Sequence, residues 1–113
     1  VSRVDQTLDE AQQFLAAAIA AIGERATQRD RPSGERSMSA CVGAFNSIVG
    51  TSISERDGWL FMALLKASRS TGGAYHHDDY TDGAAYFALA GEAAMRAENL
   101  AEALQDTTPG SEG

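Results

Sequence analysis

The chain has 113 residues, 43% hydrophobic and 22% charged, which fits one globular domain with a core of its own and leaves no room for a second. Nine basic against sixteen acidic residues give a formal charge of −7 and a pI near 4.6, which argues against a general electrostatic grip on nucleic acid or an anionic membrane. The single cysteine, Cys41, excludes an internal disulfide, and the longest apolar run, Phe14 to Ile22, is far short of the roughly 20 residues that span a bilayer.

The periodicity predicts an all-α chain, a four-helix bundle with helices near 7–27, 38–50, 55–70 and 78–104. Thr7-Leu8-Asp9-Glu10 reads as a capping box opening the first helix, although Asp5 is an equal start. Leu8, Ala11, Leu15, Ala18, Ile19 and Ile22 then form one amphipathic stripe, so rich in alanine that neighbouring helices can approach closely. The following stretch holds Arg29, Arg31 and Arg36 with Pro32 and Gly34 and no apolar residue, so it is a loop. Its arginines suit a phosphate or carboxylate, or else pair with the acids beside them as a solvated connector.

The second helix places Met38, Cys41, Val42, Phe45, Ile48 and Val49 on one face, which assigns Cys41 to the core as a small apolar residue. Asn46 flanks that face and is expected in solvent, and Gly50 suits the C-terminal cap. Ser52 and Ser54 are both candidate starts for the third helix, whose Trp59-Leu60-Phe61-Met62-Ala63-Leu64-Leu65 is apolar around nearly its whole circumference. Such a helix is central or lies at a subunit interface. Lys66 and Arg69 close it, where cations offset the helix dipole. The fourth helix carries the stripe on through Tyr86, Leu89, Ala90, Ala93, Ala94, Ala97 and Leu100, with Gly83 and Gly91 costing about 1 kcal/mol each unless close packing requires them. One helical domain over 1–105 with a disordered tail at 106–113 is the expected organisation.

Most of the chemistry lies between Tyr75 and Tyr86, which includes both histidines and three of the acidic residues. Asp78 and Asp79 stand where a helix begins, with Asp82 one turn on, so the i,i+3 and i,i+4 spacing lets two carboxylates share a face, and Asp79 with Asp82 is the pair expected to hold a metal ion. The plainer alternative is that acids at a helix start cap its orphan N–H groups. His76 and His77 diverge on a turn and lack the spacing of a zinc site, and no nucleophile-elbow pattern or phosphate loop is present. Tyr80, beside the acids, is the aromatic residue best placed to stack on a base.

Trp59-Leu60-Phe61-Met62-Ala63-Leu64-Leu65-Lys66-Ala67-Ser68-Arg69, a Gly-rich turn and then the segment from His77 to Glu92 resemble a small, mostly phage-encoded domain family of unassigned function. That family has Lys-x-x-Arg closing one helix and Asp-aromatic-x-Asp opening a Gly- and Ala-rich helix. The match covers roughly residues 52–92, and the Tyr-Gly-Asp run found ahead of it in many members is replaced here by the arginine-rich loop. The family is in turn similar to the all-α MazG-like nucleotide pyrophosphohydrolases. The resemblance implies that Asp79-Tyr80-Thr81-Asp82 stands for their second metal-binding motif, whereas Phe61, Met62, Leu65 and Lys66 occupy the place of the first and do not ligate a hard cation.

Two functions follow as expectations. One is a phage-type accessory protein without catalysis, binding a nucleotide-like or anionic ligand, or a host protein, through Lys66, Arg69, His77, Asp79, Tyr80 and Asp82, with Arg36 folding back from its loop. The other is a magnesium-dependent nucleoside triphosphate pyrophosphohydrolase with Asp79 and Asp82 as metal ligands; no cofactor is implied otherwise. The almost wholly apolar third helix and the two alanine-rich stripes further predict a homodimer or homotetramer. The expected location is the cytoplasm, that of the host if the chain is phage-encoded.

Overall fold

A computed structural model describes residues 9–28 and 37–106, with the side chains of 25–28 left aside. These residues form an all-α four-helix bundle: α1 (Glu10–Gln28), α2 (Ser37–Val49), α3 (Glu55–Ser70) and α4 (His77–Asp106). No described helix is long and apolar enough to cross a membrane. The arginine-rich loop, Thr7, and the tail beyond Asp106 lie outside the described residues.

Most of the inter-helix packing is α3 against α4, followed by α1 against α4; α2 touches chiefly α3. Trp59 is the centre. Its ring stacks on Tyr86 with centroids 5.8 Å apart, and Leu89 and Ala90 complete a small buried cluster. Ile22 from α1 and Met38 from α2 pack on that cluster from either side. Trp59 meets Tyr86 and Lys66 meets Asp82, so α3 and α4 run antiparallel. Phe14 lies against His77 and Tyr80 while Ile22 reaches the Tyr86–Ala93 level, so α1 runs parallel to α4.

Capping decides where the helices begin. Asp9 Oδ1 accepts from the Gln12 amide at 2.8 Å and Gln12 Oε1 accepts from the Asp9 amide at 2.9 Å, so α1 opens on this reciprocal pair and starts at Glu10, three residues later than the sequence pattern places it. Of the two serines offered for α3, Ser54 is used: its hydroxyl accepts from the Asp57 amide and the Asp57 carboxylate accepts from the Ser54 amide. Gly50 takes a φ of +82°, the left-handed conformation that closes α2.

Two side chains differ from expectation. Asn46 is not a solvent residue: its amide donates to the Ile53 carbonyl at 2.9 Å while its Oδ1 accepts from the Thr51 hydroxyl and the Ile53 amide, so it ties the α2–α3 turn together. Cys41 is exposed rather than in the core, because among the described residues α2 packs chiefly on one neighbour and that neighbour takes the Met38–Val42 side of the helix. The same holds on α1, where Ala18 is buried but Leu15 and Ile19 stand out of the packing.

Gly58 is where α2 and α3 come closest. A Cβ there would lie 2.5 Å from Met38 Sδ and 2.8 Å from Val42 Cγ2, whereas at Gly91 it would meet nothing within 4 Å. Gly58→Ala is therefore expected to destabilise by about 1–3 kcal/mol through overpacking, and Gly91→Ala to stabilise by up to about 1 kcal/mol through helix propensity; chemical denaturation of both variants reads the contrast. Ser54→Ala should cost about 1 kcal/mol in the same assay. The Ser54 amide donating to Asp57 holds that carboxyl below its ordinary value of 3.8, so its stabilisation is full above that value and lost as pH falls through the lower, folded value. Asp57→Asn should remove that part of the acid dependence, which a denaturation series below pH 4 (~3.8 downward) would register.

Candidate functional site

The antiparallel register of α3 and α4 brings the last turn of one beside the first turn of the other, with Gly72, Gly73 and Ala74 crossing between them. The resulting open cleft, of about 390 Å³, is lined by Lys66 and Arg69 from α3, by this turn, and by His76, Asp78 and Asp79 at the head of α4. Two cations and two carboxylates therefore line one cleft together with the glycine turn.

Within the cleft the charges are unevenly matched. Lys66 Nζ lies 3.4 Å from Asp82 Oδ2, and both side chains are largely covered, so this pair spans the two helices just below the cleft. Gly83 sits beside it, and a Cβ there would lie 3.4 Å from Lys66 Cβ, so the backbone of α4 runs close against the lysine stem. Asp79 is 8% exposed, yet among the described residues no hydrogen bond or ion pair engages its carboxylate. Its backbone amide donates to the His76 carbonyl at 3.1 Å. The Arg69 guanidinium is likewise without an ion-pair partner among the described residues. Neither Asp78 nor Asp79 accepts from an amide of the opening turn of α4, so side-chain capping does not account for them; both carboxylates do benefit from the positive end of the helix dipole.

His77 and Tyr80 are placed on the other side of α4, facing α1. Phe14 packs on the His77 ring at 4.8 Å between centroids and meets Tyr80 edge-on at 6.2 Å. Tyr75 stacks on Tyr80 at 5.9 Å, and its hydroxyl lies 3.5 Å from His77 Nδ1. Tyr75 and Tyr80 nevertheless remain well exposed, an aromatic shelf on the shoulder of the cleft.

The sequence-predicted set is thus divided by the fold. Lys66, Arg69 and Asp79 share the cleft, Asp82 pairs with Lys66 beneath it, His77 and Tyr80 belong to the aromatic shelf, and Arg36 lies outside the described residues. His76 and Asp78 line the cleft although neither belongs to the ligand-binding set expected from the sequence. The signal was available: His76 precedes the helix and Asp78 is next to Asp79, so both follow the turn that carries the site. For metal binding, no group of three or more His, Cys, Asp or Glu side chains converges among the described residues, and Asp79 and Asp82 are the pair that an ion would have to use, with Asp82 already engaged by Lys66.

Comparison with known proteins matches no curated protein and no solved structure. A family model does match, over residues 7–94, and it reaches well beyond the 52–92 segment of the sequence resemblance to take in α1 and α2. By that match, which covers most of its length, the chain belongs to the family described as "Domain of unknown function (DUF6378)".

Proposed function

We propose that the protein is a non-catalytic, phage-type accessory protein that binds a nucleotide-like or anionic ligand in the α3–α4 cleft. The observation that carries this reading is the pair of charges that line the cleft: the carboxylate of Asp79, a residue 8% exposed whose oxygens open to the cleft, and the Arg69 guanidinium, neither with a hydrogen-bond or ion-pair partner among the described residues. A carboxylate that the fold leaves unbonded at the wall of a cleft is open to a ligand donor in place of solvent. One unmatched acceptor and one unmatched donor suit a ligand that is itself divided, with an anionic group for Arg69 and Lys66 and a hydroxyl, amine or ion-bound portion for Asp79. The Tyr75–Tyr80 shelf adds a flat apolar surface beside the cleft on which a base can stack.

The second reading is a magnesium-dependent, MazG-like nucleoside triphosphate pyrophosphohydrolase. Asp79 and Asp82 one turn apart favour it, and the Lys66–Asp82 pair together with the apolar Phe61, Met62 and Leu65 on α3 weigh against it. Self-association as a homodimer or homotetramer in the cytoplasm is part of the proposal, supported by the number of large apolar side chains the single chain leaves uncovered. A host protein is the partner that the proposal would turn to if no small ligand binds.

A thermal-shift panel of nucleotides, inorganic phosphate and pyrophosphate, with and without magnesium, tests the proposal. A ligand at 100-fold its Kd should stabilise the protein by about 2.7 kcal/mol, and Arg69→Ala and Asp79→Asn should each abolish the shift. Release of monophosphate and pyrophosphate from a triphosphate, lost in Asp79→Ala, would replace this reading by the enzymatic one; no shift with any compound would remove the small-ligand reading.

A further inference from the structure

A second, entirely different recess lies on the far side of α3. Met38, Val42 and Phe45 on α2 and Phe61 and Met62 on α3 line a groove of about 580 Å³ whose one charged neighbour, Asp57, is held by the Ser54 cap and Arg56. Beside the groove rises a ridge. Ile48 and Val49 follow Phe45 one turn on, and Leu64 follows Phe61 in the same way; Ile48 is 84% exposed and Phe61 68%. These five large side chains leave roughly 600 Å² open, at the top of the ~300–600 Å² typical of the largest apolar patch on a monomer.

We propose that this α2–α3 face is an interface with a second copy of the chain, the α2 ridge of each copy seated in the α2–α3 groove of the other. Convex and concave apolar surfaces on one face are what a twofold, isologous contact requires. Charge permits it: α2 contains no charged residue from Ser37 to Val49, so the −7 of the whole chain is carried elsewhere. The patch supplies most of the ~800 Å² per partner of a standard interface. A second copy is favoured over another protein because the need is permanent. Among the described residues the buried core has only Val42, Trp59 and Leu89 as large apolar members, and α2 is supported chiefly by α3, so this face is short of cover in every copy of the chain. The partner always available in proportion is the chain itself.

The inference deepens the self-association reading above, and Cys41, exposed on the single chain at the edge of the groove, separates the two. Maleimide labelling of the native full-length protein, paired with sedimentation analysis over a dilution series, is the experiment. A dimer or tetramer in which Cys41 reacts at least about tenfold more slowly than in the urea-unfolded chain, with protection lost on dilution to monomer, is the expected result. Ile48→Asp should shift the population to monomer, and Phe87→Asp, on the exposed face of α4, should not. An oligomer with a freely reactive Cys41, or one dissociated by Phe87→Asp but not by Ile48→Asp, overturns this face while leaving self-association standing. A folded monomer at micromolar concentration overturns both.

Discussion

The stacking of Trp59 against Tyr86, with Leu89 and Ala90 beneath, is the contact from which the rest of this structure follows. It sets the register of α3 against α4, and through that register it puts Lys66 opposite Asp82 and Arg69 beside the head of α4. The Gly72-Gly73 turn then has only to cross between two ends already in place. The candidate site is a consequence of core packing some distance away, which is why its geometry belongs to the helix pair rather than to a loop.

At that end of the molecule, charge and aromatic surface are divided between the two sides of α4. The 3.6-residue period sends Asp79 toward α3 and the cleft, and Tyr80, the next residue, toward α1. Phe14 holds His77 and borders Tyr80, and Tyr75 lies over Tyr80 in turn, so the first turn of α4 is supported from α1 by rings and from α3 by an ion pair. Half-buried Lys66 keeps its stem against Gly83 while its ammonium reaches Asp82, an arrangement that uses the lysine's apolar length as well as its charge. What is left over, the Asp79 carboxylate and the Arg69 guanidinium, is the part of the site that the fold itself does not consume.

The opposite side of α3 shows the same economy in apolar terms. A helix apolar on all sides needs neighbours on all sides, and α3 has α4 on one and a sparsely held α2 on another. Gly58 lets α2 approach closely at a single point, and beyond it α2 diverges enough to leave a groove rather than a sealed core. The surplus on Phe61, Leu64 and the α2 ridge is therefore a product of having, among the described residues, three other helices, one of them short, around a helix built for more contacts.

Local signals sufficed for the helices. The third helix runs over the predicted 55–70, the second and fourth end within two residues of expectation, and the choice between Ser52 and Ser54 is resolved by a carboxylate three residues after the latter. Overlapping patterns were the weak point, as at α1, where Asp9-x-x-Gln12 wins over a neighbouring pattern of the same form. The acidic segment was visible as a chemical concentration, and Lys66 and Arg69 as cations at the end of the helix before it. Periodicity alone, then, determined that four amphipathic helices form and which residue types lie near the α3–α4 turn, because hydrogen-bonded backbone and side-chain spacing are properties of short segments. Tertiary packing decided that Cys41 is open, that Asn46 ties a turn, that Asp82 is taken by Lys66 and that Asp79 is not, because each depends on which of two apolar faces finds a neighbour.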